Sequence, residues 1–474
     1  MKILETLTEE QALAVTADPG IIQLTAGPGT GKTRCVTARA VWISLTDRHS
    51  RVLVLSHTRK AVSEVKVRIA RALPDLFRQK IKVMTLHGFS LRCARMMGLF
   101  DGMRLVKEEE KLKLLERCIR RHPVFDDVEY IGRVIENCKN LLISPEEAYC
   151  LVAEDIAKIY EIYEAEKKKE KAFDFEDMLV SVYRNLSSNH RLAAGFRGYF
   201  DHIIVDEAHD MNKAQYEILR LIQDGSLFLV LDPNQRIYTF RAGGGPLHRI
   251  RQDYPNSKEF RLTVNFRSGR RIVEATNRLM NTDIKPRPNA PKGNLEVVVE
   301  DSWQGQINTI AEKIAQLKEE ESVAILVRTN YQVQAMAGSL KELGIKIKAM
   351  PEKNHKVPKI PTGEKKKSLW DKIVSLFKKT TISPPRVVRN AAARNTKVTI
   401  LTVHKAKGKE WDCVIVPDAV EDLPCCKEER EDEKKRIFYV ATTRPRKTLI
   451  ITAARECYGE ETEPSSYISC FSST

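Results

Sequence analysis

The segment Ala26–Thr33, Ala-Gly-Pro-Gly-Thr-Gly-Lys-Thr, carries the first recognisable chemistry in the chain. An apolar run, Ile21–Leu24, precedes it and a helical run, Arg34–Ile43, follows. Glycines 27, 29 and 31 free the backbone to turn its N–H groups inward around a phosphate at the positive end of a helix. Lys32 is placed to reach the β- and γ-phosphates of a nucleotide, and Thr33 to offer its hydroxyl to Mg²⁺. The strict register G-x-x-x-x-G-K-S/T begins at Ala26, so its first glycine is an alanine here. Pro28, Thr30 and Arg34 complete the nucleotide-binding set. A second stretch, His202-Ile-Ile-Val-Asp206-Glu207, is an apolar strand ending in two carboxylates. Asp206 can hold Mg²⁺ through water, and Glu207 can orient and deprotonate an attacking water. Alone, such a pair reads as a solvated turn; after a phosphate loop and before a further strand, hydrolysis is the stronger reading.

These groups need sheets to position them. Short β-branched runs alternate with helical patterns, which predicts an α/β fold with parallel sheets. One set of strands is Gly20–Leu24, Arg51–Ser56, Lys82–Thr85, His202–Asp206 and Leu227–Leu231. A second is Glu259–Leu262, Leu295–Glu300, Ser322–Arg328, Val398–Thr402, Cys413–Pro417 and Thr448–Thr452. The Glu/Lys/Leu-rich stretch 100–171 has helical periodicity and reads as an insertion into the first sheet domain. Five domain segments follow: 1–99 with 172–257, the insertion 100–171, 258–349 with 396–455, a basic and partly irregular insertion 350–395, and a C-terminal tail 456–474.

Net charge is +16, and it is uneven. Between Lys346 and Lys397 there are 15 Lys/Arg against Glu352, Glu364 and Asp371. A polyanionic partner is implied, with nucleic acid favoured over a membrane surface. Leu369, Trp370, Ile373, Leu376 and Phe377 recur at helical spacing among lysines, a stripe that docks on its own domain or on DNA, lipid or a protein partner. The ten cysteines lack C-x-x-C spacing and read as reduced thiols, although the adjacent Cys425–Cys426 could catch a metal or respond to oxidation. No apolar run of about 18 residues and no signal-peptide pattern occur, which predicts a soluble, intracellular chain.

In order along the chain, the motifs resemble those of UvrD/Rep/PcrA-type helicases of superfamily 1, in a short form with a reduced second insertion. Thr8-Glu-Glu-Gln11 resembles the adenine-reading glutamine segment. Leu55-Ser-His57-Thr-Arg-Lys-Ala61 and Thr85-Leu-His87-Gly-Phe89 resemble the strand-contacting motifs of the first lobe, and Phe173-Asp-Phe-Glu-Asp-Met-Leu179 the segment returning from the helical insertion. Asp206-Glu-Ala-His-Asp210 fits D-E-x-Q-D except that His209 replaces glutamine. Asp232-Pro-Asn-Gln235-Arg-Ile-Tyr238-Thr-Phe240-Arg241 resembles D-x-x-Q-x-I-Y-x-W/F-R. Leu262-Thr-Val-Asn265-Phe266-Arg267-Ser268 resembles L-x-x-N-Y-R-S. Thr402-Val-His404-Lys-Ala-Lys407-Gly408-Lys-Glu410-Trp411 and Arg436–Arg444 resemble the last two motifs.

The resemblance implies two RecA-like lobes of the P-loop NTPase type, with ATP and Mg²⁺ as cofactors. It assigns γ-phosphate sensing to Gln235, adenine stacking to Phe266, γ-phosphate contact to Arg267, ribose contact to Glu410 and the arginine finger to Arg444. DNA contacts fall to His57, Thr85, His87, Phe89, Tyr238, Phe240, Arg241, Thr402 and His404. ATP would sit between the lobes, and single-stranded or tailed duplex DNA would cross both. The implied activity is an ATP-dependent DNA helicase or translocase, travelling 3′→5′ in repair, recombination or replication. The residues themselves do not set a direction, and the oligomeric state, a monomer or an oligomer, is left open. Lys409 and Pro445 depart from the family pattern, and the small second insertion favours translocation over processive unwinding. An alternative is a helicase-like accessory subunit regulating a nuclease partner. The expected setting is the cytoplasm, nucleoid-associated, or the nucleus in a eukaryote.

Overall fold

The structure is a computed structural model and describes residues 2–237, 247–349, 398–421, 423 and 430–472. It divides into two compact units, Met1–Ala26 with Gly31–Leu262, and Gly27–Thr30 with Thr263–Thr474.

The first unit is built on β1 (Ile21–Ala26), β2 (Val52–Ser56), β3 (Ile81–Thr85), β4 (His202–Val205), β5 (Leu227–Leu231) and β6 (Lys258–Leu262), paired in the order β3-β2-β4-β5-β1-β6. All pairings are parallel. The central strands are apolar throughout because both faces are covered. Successive residues feed opposite cores: Leu53, Leu55, Val205 and Leu229 enter one, and Val52, Val54, Ile204 and Phe228 the other. Helices α1 (Glu9–Thr16), α2 (Lys32–Thr46), α3 (Arg59–Ala72) and α4 (Leu86–Met96) flank this sheet's strands in sequence. The expected insertion is helical, with α5 (Glu108–Arg121), α6 (Val128–Asn140) and α7 (Glu154–Lys169) around a core of its own that includes Leu115, Ile131, Ile135 and Ile159. A two-residue parallel ladder, Arg104–Leu105 with Ala172–Phe173, ties its ends together before α8 (Phe175–Ser188).

The second unit holds β7 (Asn294–Glu300), β8 (Val323–Val327), β9 (Ile347–Ala349), β10 (Val398–Thr402), β11 (Trp411–Val416) and β12 (Pro445–Ala454), in the order β7-β12-β11-β8-β10-β9. The two sheets differ from expectation at their edges. The sequence pattern places Glu259–Leu262 in the second sheet, but β6 pairs with β1 from Ile22↔Lys258 to Ala26↔Leu262 and completes the first. The second sheet gains β9 beside β10 instead. Residues 456–472 pack into the second unit: Arg278 Nε donates to the Cys470 carbonyl at 2.9 Å, and Phe471 is buried. The basic insertion and Cys425–Cys426 lie outside the described residues. Among the described residues, no helix is long and apolar enough to cross a membrane.

Candidate active site

Strand β5 lies between β4 and β1, so the segments that leave these three strands emerge side by side at one sheet edge. That edge, the carboxyl end of parallel strands, is where open α/β sheets bind ligands. Lys32 begins α2, and its ammonium donates to the Ala26 carbonyl at 3.0 Å and to Asp232 Oδ2 at 2.9 Å. Both side chains of this pair are nearly buried. Asp232 also accepts from Gln235 Nε2, and its Oδ1 accepts from Asn234 N at 3.2 Å, capping the short turn Pro233–Gln235. One carboxylate thus aims both the phosphate lysine and the expected γ-phosphate sensor. Gly31 has φ +98°, and a Cβ there would stand 2.7 Å from Gln11 Nε2. Glycine at this place lets the buried Gln11 lie against the loop, with Gln11 Oε1 accepting from Thr8 N at 3.2 Å in the capping box of α1. Arg34 donates to the Thr6 carbonyl.

Asp206 follows β4, its backbone N–H bonded to the Leu55 carbonyl at 2.8 Å. Its Oδ1 is buried without a hydrogen-bond partner among the described residues. Burial first, then the neighbouring Glu207 charge, push its carboxyl up to about 7, against the pull of Lys32. Glu207 adopts a left-handed backbone, φ 52° and ψ 43°, which costs of order 1–3 kcal/mol and is characteristic of functional positions. An orphaned, buried carboxylate oxygen beside a second carboxylate is chemistry that suits a divalent cation.

In the second unit, the loop tip is held by Asn265, whose Nδ2 donates to the Pro28 carbonyl at 2.8 Å, and by Phe266 N donating to the Gly29 carbonyl at 2.8 Å. The Phe266 side chain is 38% exposed, open enough to stack on a planar ligand. Arg267 Nε donates to Glu410 Oε2 at 2.6 Å, and Arg446 Nε donates to Glu410 Oε1 at 3.1 Å. Although burial works against it, Arg446 and Arg267 hold the Glu410 carboxyl below its usual range. Arg444 is buried, with Nε donating to the Val440 carbonyl and Nη2 to Thr443 Oγ1, each at 2.9 Å. Pro445 opens β12, a strand position that proline tolerates, and its carbonyl accepts from Ser268 Oγ at 2.7 Å.

The expected DNA contacts divide. His57 and His87 are half-buried, and Thr85 spends its hydroxyl as the cap of α4, accepting from Gly88 N at 3.0 Å. Phe89 requires a correction. It is 4% exposed, with its ring centroid 6.4 Å from that of Phe200, because α4 turns Leu86, Phe89 and Cys93 into the core. It is a packing residue. Thr402 is buried at the end of β10, and His404 Nδ1 lies 3.1 Å from Arg328 Nη1. Tyr238, Phe240 and Arg241 lie outside the described residues. Sequence reasoning missed Asp232, which the D-x-x-Q motif could have flagged, and Arg446.

A phosphate loop at the carboxyl edge of one parallel sheet, with paired carboxylates beside it and a second α/β unit, defines the P-loop NTPase class. The UvrD/REP helicase N-terminal domain family matches residues 7–255, and the UvrD-like helicase C-terminal domain family matches residues 260–355 and 357–456. The chain belongs to the UvrD-like helicase family. It is 28% identical over 379 residues to a probable DNA helicase II homolog of Mycoplasma pneumoniae, covering 71% of this chain and 53% of that one. It is 30% identical over 370 residues to the ATP-dependent DNA helicase PcrA of Leuconostoc citreum, covering 71% of this chain and 49% of that one. The chain therefore spans about half the length of these two relatives. Against a probable DNA helicase II homolog of Mycoplasma genitalium, identity is 22% over 614 residues, covering 98% of this chain and 87% of the relative.

Proposed function

We propose that the chain hydrolyses ATP with Mg²⁺ and uses it to move 3′→5′ on single-stranded DNA, unwinding tailed duplex in DNA maintenance. The observation that carries the hydrolytic half is the alignment of Lys32, Asp206, Glu207, Asp232 and Gln235 at three adjacent strand ends. Lys32 binds the phosphates, Glu207 takes a proton from the attacking water, and Gln235 reads the γ-phosphate. Bound Mg²⁺ supplies charge neutralisation at the phosphates, with Asp206 and Thr33 as its protein partners. The named activity of the PcrA relative supports DNA as the track, as does the net charge of +16.

The test is ATPase rate with single-stranded DNA, RNA or no strand, together with unwinding of 3′- and 5′-tailed duplexes. DNA-specific stimulation and 3′-tail preference are expected; ATPase indifferent to any strand defeats the motor reading. Lys32→Ala should abolish turnover while single-strand binding persists. Affinity should fall steeply with salt, and deleting Lys353–Lys379 should flatten that slope if the basic segment serves the DNA.

A further inference from the structure

His209 stands where the motif of the family carries glutamine, and it is fully buried. It lies in the turn Ala208–Asp210, immediately after the candidate base. Its ring faces two ways. Nδ1 accepts the backbone N–H of Asp232 at 3.0 Å, which commits that nitrogen's lone pair and leaves the proton of the neutral ring on Nε2. Nε2 lies 3.3 Å from Glu207 Oε2 and 3.7 Å from Asp210 Oδ1.

We propose that His209 is a positioning residue for ATP hydrolysis, taking the N–H of Asp232 at one nitrogen and presenting Nε2–H to Glu207 at the other. The inference rests on the hydrolytic reading given above and adds a residue to it. At 3.3 Å the Nε2 to Glu207 Oε2 contact is longer than a formed hydrogen bond, and catalytic contacts of this kind tighten when substrate binds. The arrangement ties the base to Asp232, whose carboxylate already holds Lys32 and Gln235. Water activation and phosphate binding then share one anchor, the end of β5.

Chemistry explains why histidine can stand in for glutamine here. A carboxamide also offers one acceptor and one N–H donor on opposite sides of a planar group, so either residue can bridge the Asp232 N–H and a carboxylate. An apolar side chain can do neither. Glu207, His209 and Asp210 also bring ligand-type atoms within 4.8 Å of one another, which invites a metal reading. Ligation through Nε2 would move the ring proton to Nδ1 and break the bond from Asp232, so the observed bond favours a proton between His209 and Glu207.

Two substitutions and one spectrum test this in the full chain. His209→Gln should keep kcat within about threefold, whereas His209→Met should lower it by at least roughly thirtyfold. For His209→Gln, the KM for ATP and the affinity for a non-hydrolysable ATP analogue should stay within about twofold, since the carboxamide replaces both contacts. His209→Gln falling as far as His209→Met, or His209→Met keeping wild-type kcat, overturns the proposal. The wild-type chain needs no variant to fold: a long-range ¹H–¹⁵N spectrum, with His209 assigned through His209→Gln, reads the tautomer. A proton on Nε2 supports the proposal, and one on Nδ1 overturns it. Wild-type turnover no higher than that of Lys32→Ala would instead defeat the hydrolytic reading, and the tautomer would still decide the geometry at His209.

Discussion

At the base of the helical insertion, Lys139 of α6 and Lys167 of α7 each touch the same three carboxylates, Glu164, Asp174 and Asp177, at 2.5–2.9 Å. At the strand ends of the same unit, Asp206 and Glu207 adjoin, and the nearby Lys32 is bound to Asp232. Both clusters are buried, and burial opposes charge in both. In the insertion the ammoniums prevail: despite desolvation, Lys139 and Lys167 hold the Asp174 carboxyl well below its usual range, and Tyr163 OH adds a bond at 3.0 Å. At the strand ends desolvation prevails, and Asp206 is raised to about 7. The three carboxylates of the first cluster that could hold a metal are each paired with lysine ammoniums; in the second, Asp206 Oδ1 has neither an ion pair nor a hydrogen-bond partner among the described residues. The difference separates charge used to fasten a scaffold from charge reserved for a ligand.

The comparison breaks most visibly at Glu207. Glu207→Gln should lower kcat about 10³-fold while nucleotide binding persists, as expected when a general base is removed. Steady-state ATPase beside nucleotide titration measures this; a loss smaller than about tenfold would mean that another group activates the water.

Lys167→Met tests the other cluster. Removing one partner of a buried ionic network leaves uncompensated charge and should cost about 3–5 kcal/mol. That corresponds to a fall in melting temperature of roughly 10 °C, with kcat of the folded protein unchanged. The pH response follows from the depressed Asp174 carboxyl. Its contribution is complete above the unfolded value near 4 and is lost as pH falls towards the lower folded value, so wild type and variant should converge in acid. A variant with wild-type stability at neutral pH would show that the lysines do not fasten the insertion.

What the sequence discloses is set by how local each constraint is. The phosphate loop, its flanking strand and helix, and Asp206–Glu207 are contiguous, and each was legible as a short motif. The Lys32–Asp232 pair spans 200 positions and the Lys139–Asp174 pair 35, so neither partner announces the other. Strand β6 is misplaced by its sequence pattern because it is a largely exposed edge strand, and that pattern does not say which neighbour it joins. Phe89 was legible in principle: Leu86, Phe89, Ser90 and Cys93 share the buried spacing of an amphipathic helix, a stronger signal than an aromatic in a strand-contacting motif. His209 was visible as a departure from the motif, but its meaning needed the Asp232 N–H, which only the sheet brings to it.

The smallest expected effect is also the one that most directly separates the clusters. In the folded, ligand-free chain the Asp206 carboxyl titrates at about 7, above its unfolded value near 4. Between those values the folded state binds the extra proton, so stability declines as pH rises from about 4 to about 7 and stays reduced above it. That trend is opposite to the one Asp174 imposes. Asp206→Asn removes the titration and should raise the melting temperature of the ligand-free chain by about 3–6 °C at pH 8, or about 1–2 kcal/mol, while abolishing turnover. Near pH 4 the two proteins should melt together. Saturating Mg²⁺ with a non-hydrolysable ATP analogue should close or reverse the gap at pH 8, because only wild type keeps the carboxylate that the cation uses. Thermal melts across pH, with and without that ligand, decide the matter. A variant less stable than wild type at pH 8 without ligand would mean that Asp206 is already compensated, like Asp174.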